Sequence, residues 1–113
     1  MMPSQREGEI LANLLEIVQK LSGGTSTWAS EWVDNFNGNQ VEIRVMRGAI
    51  ANWHTHTDTD EMFVVLSDSV AIDTQNGSFN LVQNDCLVVK AGTQNRARTE
   101  STATLMTLIS PTP

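Results

Sequence analysis

The chain has 113 residues, enough for one domain with its own core and too few for two. Acidic residues outnumber basic ones 13 to 7 for a net charge of -6, and no Lys/Arg cluster offsets this, which excludes a nucleic-acid or anionic-membrane surface. A single cysteine, Cys86, excludes an internal disulfide and a CxxC motif; in the apolar run Cys86-Leu87-Val88-Val89 it reads as a small buried hydrophobe.

Residues 1–7 are polar and are expected to fray. From Glu9 to Leu21 the apolar positions Ile10, Leu11, Leu14, Leu15, Val18 and Leu21 keep helical spacing, and Gly23-Gly24 ends the run. This predicts one short amphipathic helix, packed on its own domain or on a sister subunit. Its polar face is not basic, as a membrane-surface helix would require. Neither a signal peptide nor an apolar run of membrane-spanning length is present, so a cytoplasmic location is expected. Residues 1–24 are thus read as an arm and helix, and 25–113 as a strand domain.

After residue 25 the period changes to two. Val41, Ile43 and Val45 alternate with Glu42, Arg44 and Met46. Further strands are predicted over Ile50–His56, Glu61–Leu66, Ser69–Thr74, Ser78–Val82, Asp85–Val89, Arg96–Thr99 and Thr102–Ile109, the last stopped by Pro111 and Pro113. Gln75-Asn76-Gly77 between two alternating runs signals a hairpin. Many short, evenly spaced strands predict an all-β sandwich or barrel.

The informative stretch is Trp53-His54-Thr55-His56 followed by Glu61. On a strand, residues two apart share a face, so both imidazoles can reach one point. The polar residues Thr57–Asp60 form a turn that returns Glu61 alongside. Two imidazoles and one carboxylate suit a divalent transition metal such as iron, zinc, manganese or nickel. The alternative is a metal-free pocket in which the histidines hydrogen-bond to Glu61 or water. Phe63 and Val65 share the parity of Glu61 and should line the same interior. Asp60 should face away as a solvated or turn-capping carboxylate. Arg44, Arg47, Arg96 and Arg98 read as surface ion-pair formers, with Arg44 the choice for an anionic ligand should one face inward. Trp28, Trp32 and Trp53 read as core or interface anchors, and Met46, Met62 and Met106 as packing.

These residues resemble the cupins. Gly48, five residues, His54-Thr55-His56, four residues and Glu61 match the first cupin motif, G-x5-H-x-H-x3–4-E-x6-G, up to the final glycine, which is Asp68 here. The second motif, G-x5-P-x-G-x2-H-x3-N, is met outright only by Gly92, with Asn84, Lys90 and Asn95 on its other positions. Trp53 to Leu66 is also similar to small single-domain cupins of the mannose-6-phosphate-isomerase-like type. The resemblance implies a double-stranded β-helix, a jelly-roll-like barrel of two antiparallel sheets, often a homodimer. It implies a metal held by His54, His56 and Glu61, with Asn95 where the family has its fourth ligand, a histidine. An amide oxygen is a weak substitute. Two functions follow: a small-molecule-binding barrel with a degenerate metal site, or a metal-dependent dioxygenase or isomerase of sugars or hydroxy-carbonyl compounds.

Overall fold

A computed structural model describes residues 8–110, so the expected fraying of 1–7 and the prolines at 111 and 113 lie outside the described residues. One helix, α1 (Leu14–Ser22), precedes seven strands: β1 (Trp28–Phe36), β2 (Asn39–Arg47), β3 (Glu61–Thr74), β4 (Gly77–Val82), β5 (Cys86–Val89), β6 (Asn95–Arg98) and β7 (Thr102–Ile109). All strand pairs are antiparallel.

The helix starts later than its periodicity predicts. Asn13 stands in extended conformation, and its side-chain oxygen accepts the Glu16 N–H at 3.0 Å, so the helix begins there and leaves Ile10 and Leu11 exposed. Gly23 closes it, as expected.

Strand β3 belongs to two sheets. Its first half pairs with β7 and β5, in a sheet that continues through β2 to β1. Its second half pairs with β4 and β6. The two strands predicted over 61–66 and 69–74 are therefore one. The apparent break is a register shift between Val65 and Ser67, followed by Asp68 in left-handed conformation at φ 61°.

Asp68 and Asn84 (φ 76°) occupy the left-handed positions where the motif has glycine. Asp and Asn tolerate that region best among residues with a Cβ. Asn84→Ala is expected to lower stability by about 1 kcal/mol, and Asn84→Gly to leave it unchanged or slightly raised, as read by thermal melting.

Alternation on the larger sheet separates two buried layers. Across β2, β7 and β3, Arg44, Leu105 and Val65 form one row; Glu42, Thr107 and Phe63 form the next. These rows face the barrel interior, where Met46, Phe63, Val65, Val70, Ile72, Leu81 and Leu105 pack together. Ile43 and Val45 are equally buried but point the other way, beneath α1, which rests on β2 and β1 with Ile17 buried. The same parity corrects the reading of Cys86. Leu87 and Val89 point inward, so Cys86 lies on the outer face and is exposed.

The predicted strand over 50–56 is not formed. This segment touches β6 through isolated bridges, Ile50 to Arg98 and His54 to Asn95. In contrast, β1 was not predicted, although the Asn37-Gly38 turn that joins it to β2 has both residues at positive φ (49° and 78°), the hairpin geometry that Asn-Gly favours.

Candidate metal centre

Backbone bonds to the chain around β6 hold the histidine segment. His54 and Asn95 exchange both backbone hydrogen bonds, at 3.0 and 2.9 Å, and the His56 carbonyl accepts the Gly92 N–H at 2.8 Å. Asp60 completes the attachment: its carboxylate accepts the Ala91 N–H at 2.8 Å and Lys90 Nζ at 3.0 Å, the turn-capping role expected of it. The chain then enters β3 at Glu61, whose side chain points inward and is buried.

Glu61 Oε1 stands 3.4 Å from His56 Nε2 and 3.7 Å from His54 Nε2, and the three ligand atoms lie within 4.8 Å of one another. Two donors each about 2.1 Å from a metal stand about 3.0–3.4 Å apart, so the two carboxylate–imidazole spacings are close to those of a loaded centre. His54 Nδ1 lies 3.2 Å from the Asn52 carbonyl, which can only accept; Nδ1 therefore carries the proton, and Nε2 presents a lone pair to Glu61. Glu61 Oε1 is buried with no hydrogen-bond partner. Lone pairs of His54 Nε2 and Glu61 Oε1 thus face each other, with His56 Nε2 beside them, and a cation there would satisfy them. Once protonated at Nε2 as well, the His54 ring can donate to the Glu61 carboxylate, and this raises the imidazole above its ordinary value, while partial burial works against it. Both histidines remain partly exposed, leaving the centre open to solvent. The residues present fit a divalent transition metal.

The centre opens into a cavity of about 420 Å³. Phe63 lines it, as its parity predicted, and so does Arg44. Val65 does not: it shares their face but is sealed in the core, 1 % exposed. Trp28 and Ile109 also line the cavity and were not singled out from sequence as pocket residues. Trp28 stacks on the Arg44 guanidinium at 4.7 Å. Trp53 instead stacks on Arg96 at 4.8 Å, away from the cavity.

No family model matches the chain. An uncharacterized protein of Bacillus subtilis (strain 168), YdbB, is 29 % identical over 89 residues, which are 78 % of this chain and 75 % of that one. Among solved structures, a cupin-2 domain protein of Shewanella frigidimarina NCIMB 400 superposes with a TM-score of 0.71 at 22 % identity, over 81 % of this chain and 89 % of that one. Protein NMB1881 of Neisseria meningitidis superposes with a TM-score of 0.71 at 25 % identity, over 88 % and 98 %. The fold is that of a small cupin.

Asn95 stands where the motif that the chain resembles has its fourth ligand, a histidine. As the hydrogen-bonded cross-strand partner of His54, it projects its side chain on the same side of the pair. The amide is 1 % exposed; its nitrogen donates to the Thr93 carbonyl at 3.2 Å, and its oxygen has no partner. Asn95 does not line the cavity itself. No helix among the described residues is long and apolar enough to cross a membrane.

Proposed function

We propose that this cupin binds a small organic molecule in its barrel at a divalent transition metal held by His54, His56 and Glu61. The observation that carries the reading is Glu61 Oε1, buried without a partner and facing the Nε2 atoms of both histidines. A proton relieves one of those contacts; a divalent cation relieves all of them. The metal is iron, zinc, manganese or nickel, and its bound form would offer an electron-pair acceptor to an oxygen of the molecule. The buried Asn95 oxygen is a weak further ligand beside His54.

Binding without turnover is the reading the side chains favour. The centre uses both histidines of the chain, and the cavity wall holds no serine, cysteine or lysine to act as a nucleophile or proton carrier. Pairing of two copies is part of the proposal, supported by exposed Phe36 and Val88 on the outside of the larger sheet; a monomeric mass in light scattering contradicts it.

The test is a competition titration with Zn²⁺ and Ni²⁺. His54→Ala and Glu61→Ala should each lose more affinity than the roughly 10–100-fold that changes behind the ligands cost. Asn95→His, which restores an imidazole, should gain about tenfold or more. Equal affinities in all variants would contradict the centre.

A further inference from the structure

Four side-chain polar atoms of the described residues are buried without a hydrogen-bond partner: Arg44 Nε, Glu61 Oε1, Asn95 Oδ1 and Thr107 Oγ1. Such atoms are uncommon in folded proteins and call for a partner. A cation at the centre accounts for the Glu61 oxygen. It cannot account for Arg44 Nε, which is a donor and needs an acceptor.

The described residues supply no such acceptor. None of the ion pairs among the described residues includes Arg44. Glu42, two residues away on the same face, is engaged by Gln40 Nε2 at 3.1 Å. Glu61 shares the cavity with Arg44 but is turned to the histidines. Trp28 stacks on the guanidinium, and Arg44 is only partly buried and lines the cavity, so an acceptor bound there can reach its side chain.

Charge and shape point the same way. A divalent ion with Glu61 leaves one net positive charge; Arg44 adds a second and the neighbouring Glu42 offsets it, so the occupied site stays net positive and attracts an anion. Apart from Asn52, the rest of the wall is apolar: Trp28, Ala51, Phe63, Ala97 and Ile109. A phosphate would expect several cationic or backbone donors; one arginine fork matches one carboxylate. Resting on the metal-and-ligand reading above, we infer that the molecule bound is a small organic acid, with its carboxylate on Arg44 and an apolar body against Phe63 and Ile109.

Isothermal titration with benzoate, its neutral isostere benzamide and inorganic phosphate tests this. Untagged protein is used both loaded with Zn²⁺ and treated with EDTA. Benzoate should bind about 10–100-fold more tightly than benzamide, and more tightly than phosphate. Arg44→Gln should remove that preference and leave Zn²⁺ stoichiometry intact. Should Arg44→Gln fail to fold, Arg44→Lys serves: charge is kept but the fork and the stacking are lost, so benzoate affinity falls while its preference over benzamide survives. An Arg44-dependent preference in protein that takes up no Zn²⁺ upholds the organic acid and removes the metal. Stoichiometric Zn²⁺ with equal binding of benzoate and benzamide keeps the metal and overturns the organic acid. A preference that survives Arg44→Gln, tighter binding of phosphate, or no benzoate binding up to tens of millimolar overturns it as well.

Discussion

Glu61→Gln is expected to abolish metal uptake and, at mildly alkaline pH, to raise the melting temperature of the metal-free protein. The wild-type carboxylate is buried, and its Oε1 faces two imidazole nitrogens without a hydrogen-bond partner. Burying a charge that lacks a partner is destabilising. Glutamine has nearly the same shape, carries no charge and can donate an N–H to His56 Nε2, which stands 3.4 Å from the present oxygen. The gain should be about 1–2 kcal/mol, or several degrees for a domain of this size. The pH dependence gives the sign independently. His54 has its folded value raised above 6.5 by Glu61, so their pairing stabilises fully below the unfolded value and is lost as pH rises through the folded one. The advantage of glutamine in the metal-free protein should therefore shrink on acidification. Calorimetry at several pH values checks both points. A variant less stable than wild type in alkali would mean that Glu61 already has its partner.

Asp73→Asn should have the opposite effect and cost about 2–3 kcal/mol. Asp73 is nearly buried on β3 and is satisfied from both neighbouring strands. Arg98 Nε donates at 2.7 Å and Arg96 Nε at 2.9 Å from β6, and Ser78 Oγ at 2.7 Å from β4. The arginines are partly exposed, so solvent screens the pairs and keeps the loss below that of a fully buried one. Arg98 first, then Ser78 and Arg96, hold the Asp73 carboxyl well below the usual carboxylate range, against the effect of burial. A depressed folded value stabilises above the unfolded one and is lost as pH falls below it. Wild-type protein should thus lose stability in acid more steeply than Asp73→Asn, as denaturant titrations from neutral to acidic pH would show. The effect should reach the metal centre, because β6 carries Asn95, to which the His54 segment is bonded. Unaltered metal affinity in this variant would mean that the centre does not depend on this attachment.

The contrast between Glu61 and Asp73 explains what could be read from the sequence. His-x-His followed by a glutamate was legible because the chemistry sits in a short local pattern. The geometry that unites it was not: residues 50–56 form no strand, and the histidines are positioned by backbone bonds to a partner some 40 residues later in the chain. Alternation showed that Arg44 and Ile43 point opposite ways, but not which way is inward. Both faces of that sheet are covered, one by the barrel core and one by α1, so hydrophobicity marked Ile43 and Val45 as buried without saying where. The same ambiguity misplaced Cys86. The bend in β3 at Asp68 looked like a strand end because a bulge breaks the period without breaking the chain's path. The signal for β1 is local as well: Asn37-Gly38 is as clear a hairpin signal as Asn76-Gly77, and β1 brings Trp28 to the cavity.

The most direct measurement is the metal content of the protein purified without a chelating tag, paired with melting before and after EDTA. The expected result is one iron, zinc, manganese or nickel ion per chain and a clear fall in melting temperature on chelation, both absent in Glu61→Ala. Metal far below one ion per chain, with melting unchanged by the chelator, would contradict a metal centre at His54, His56 and Glu61.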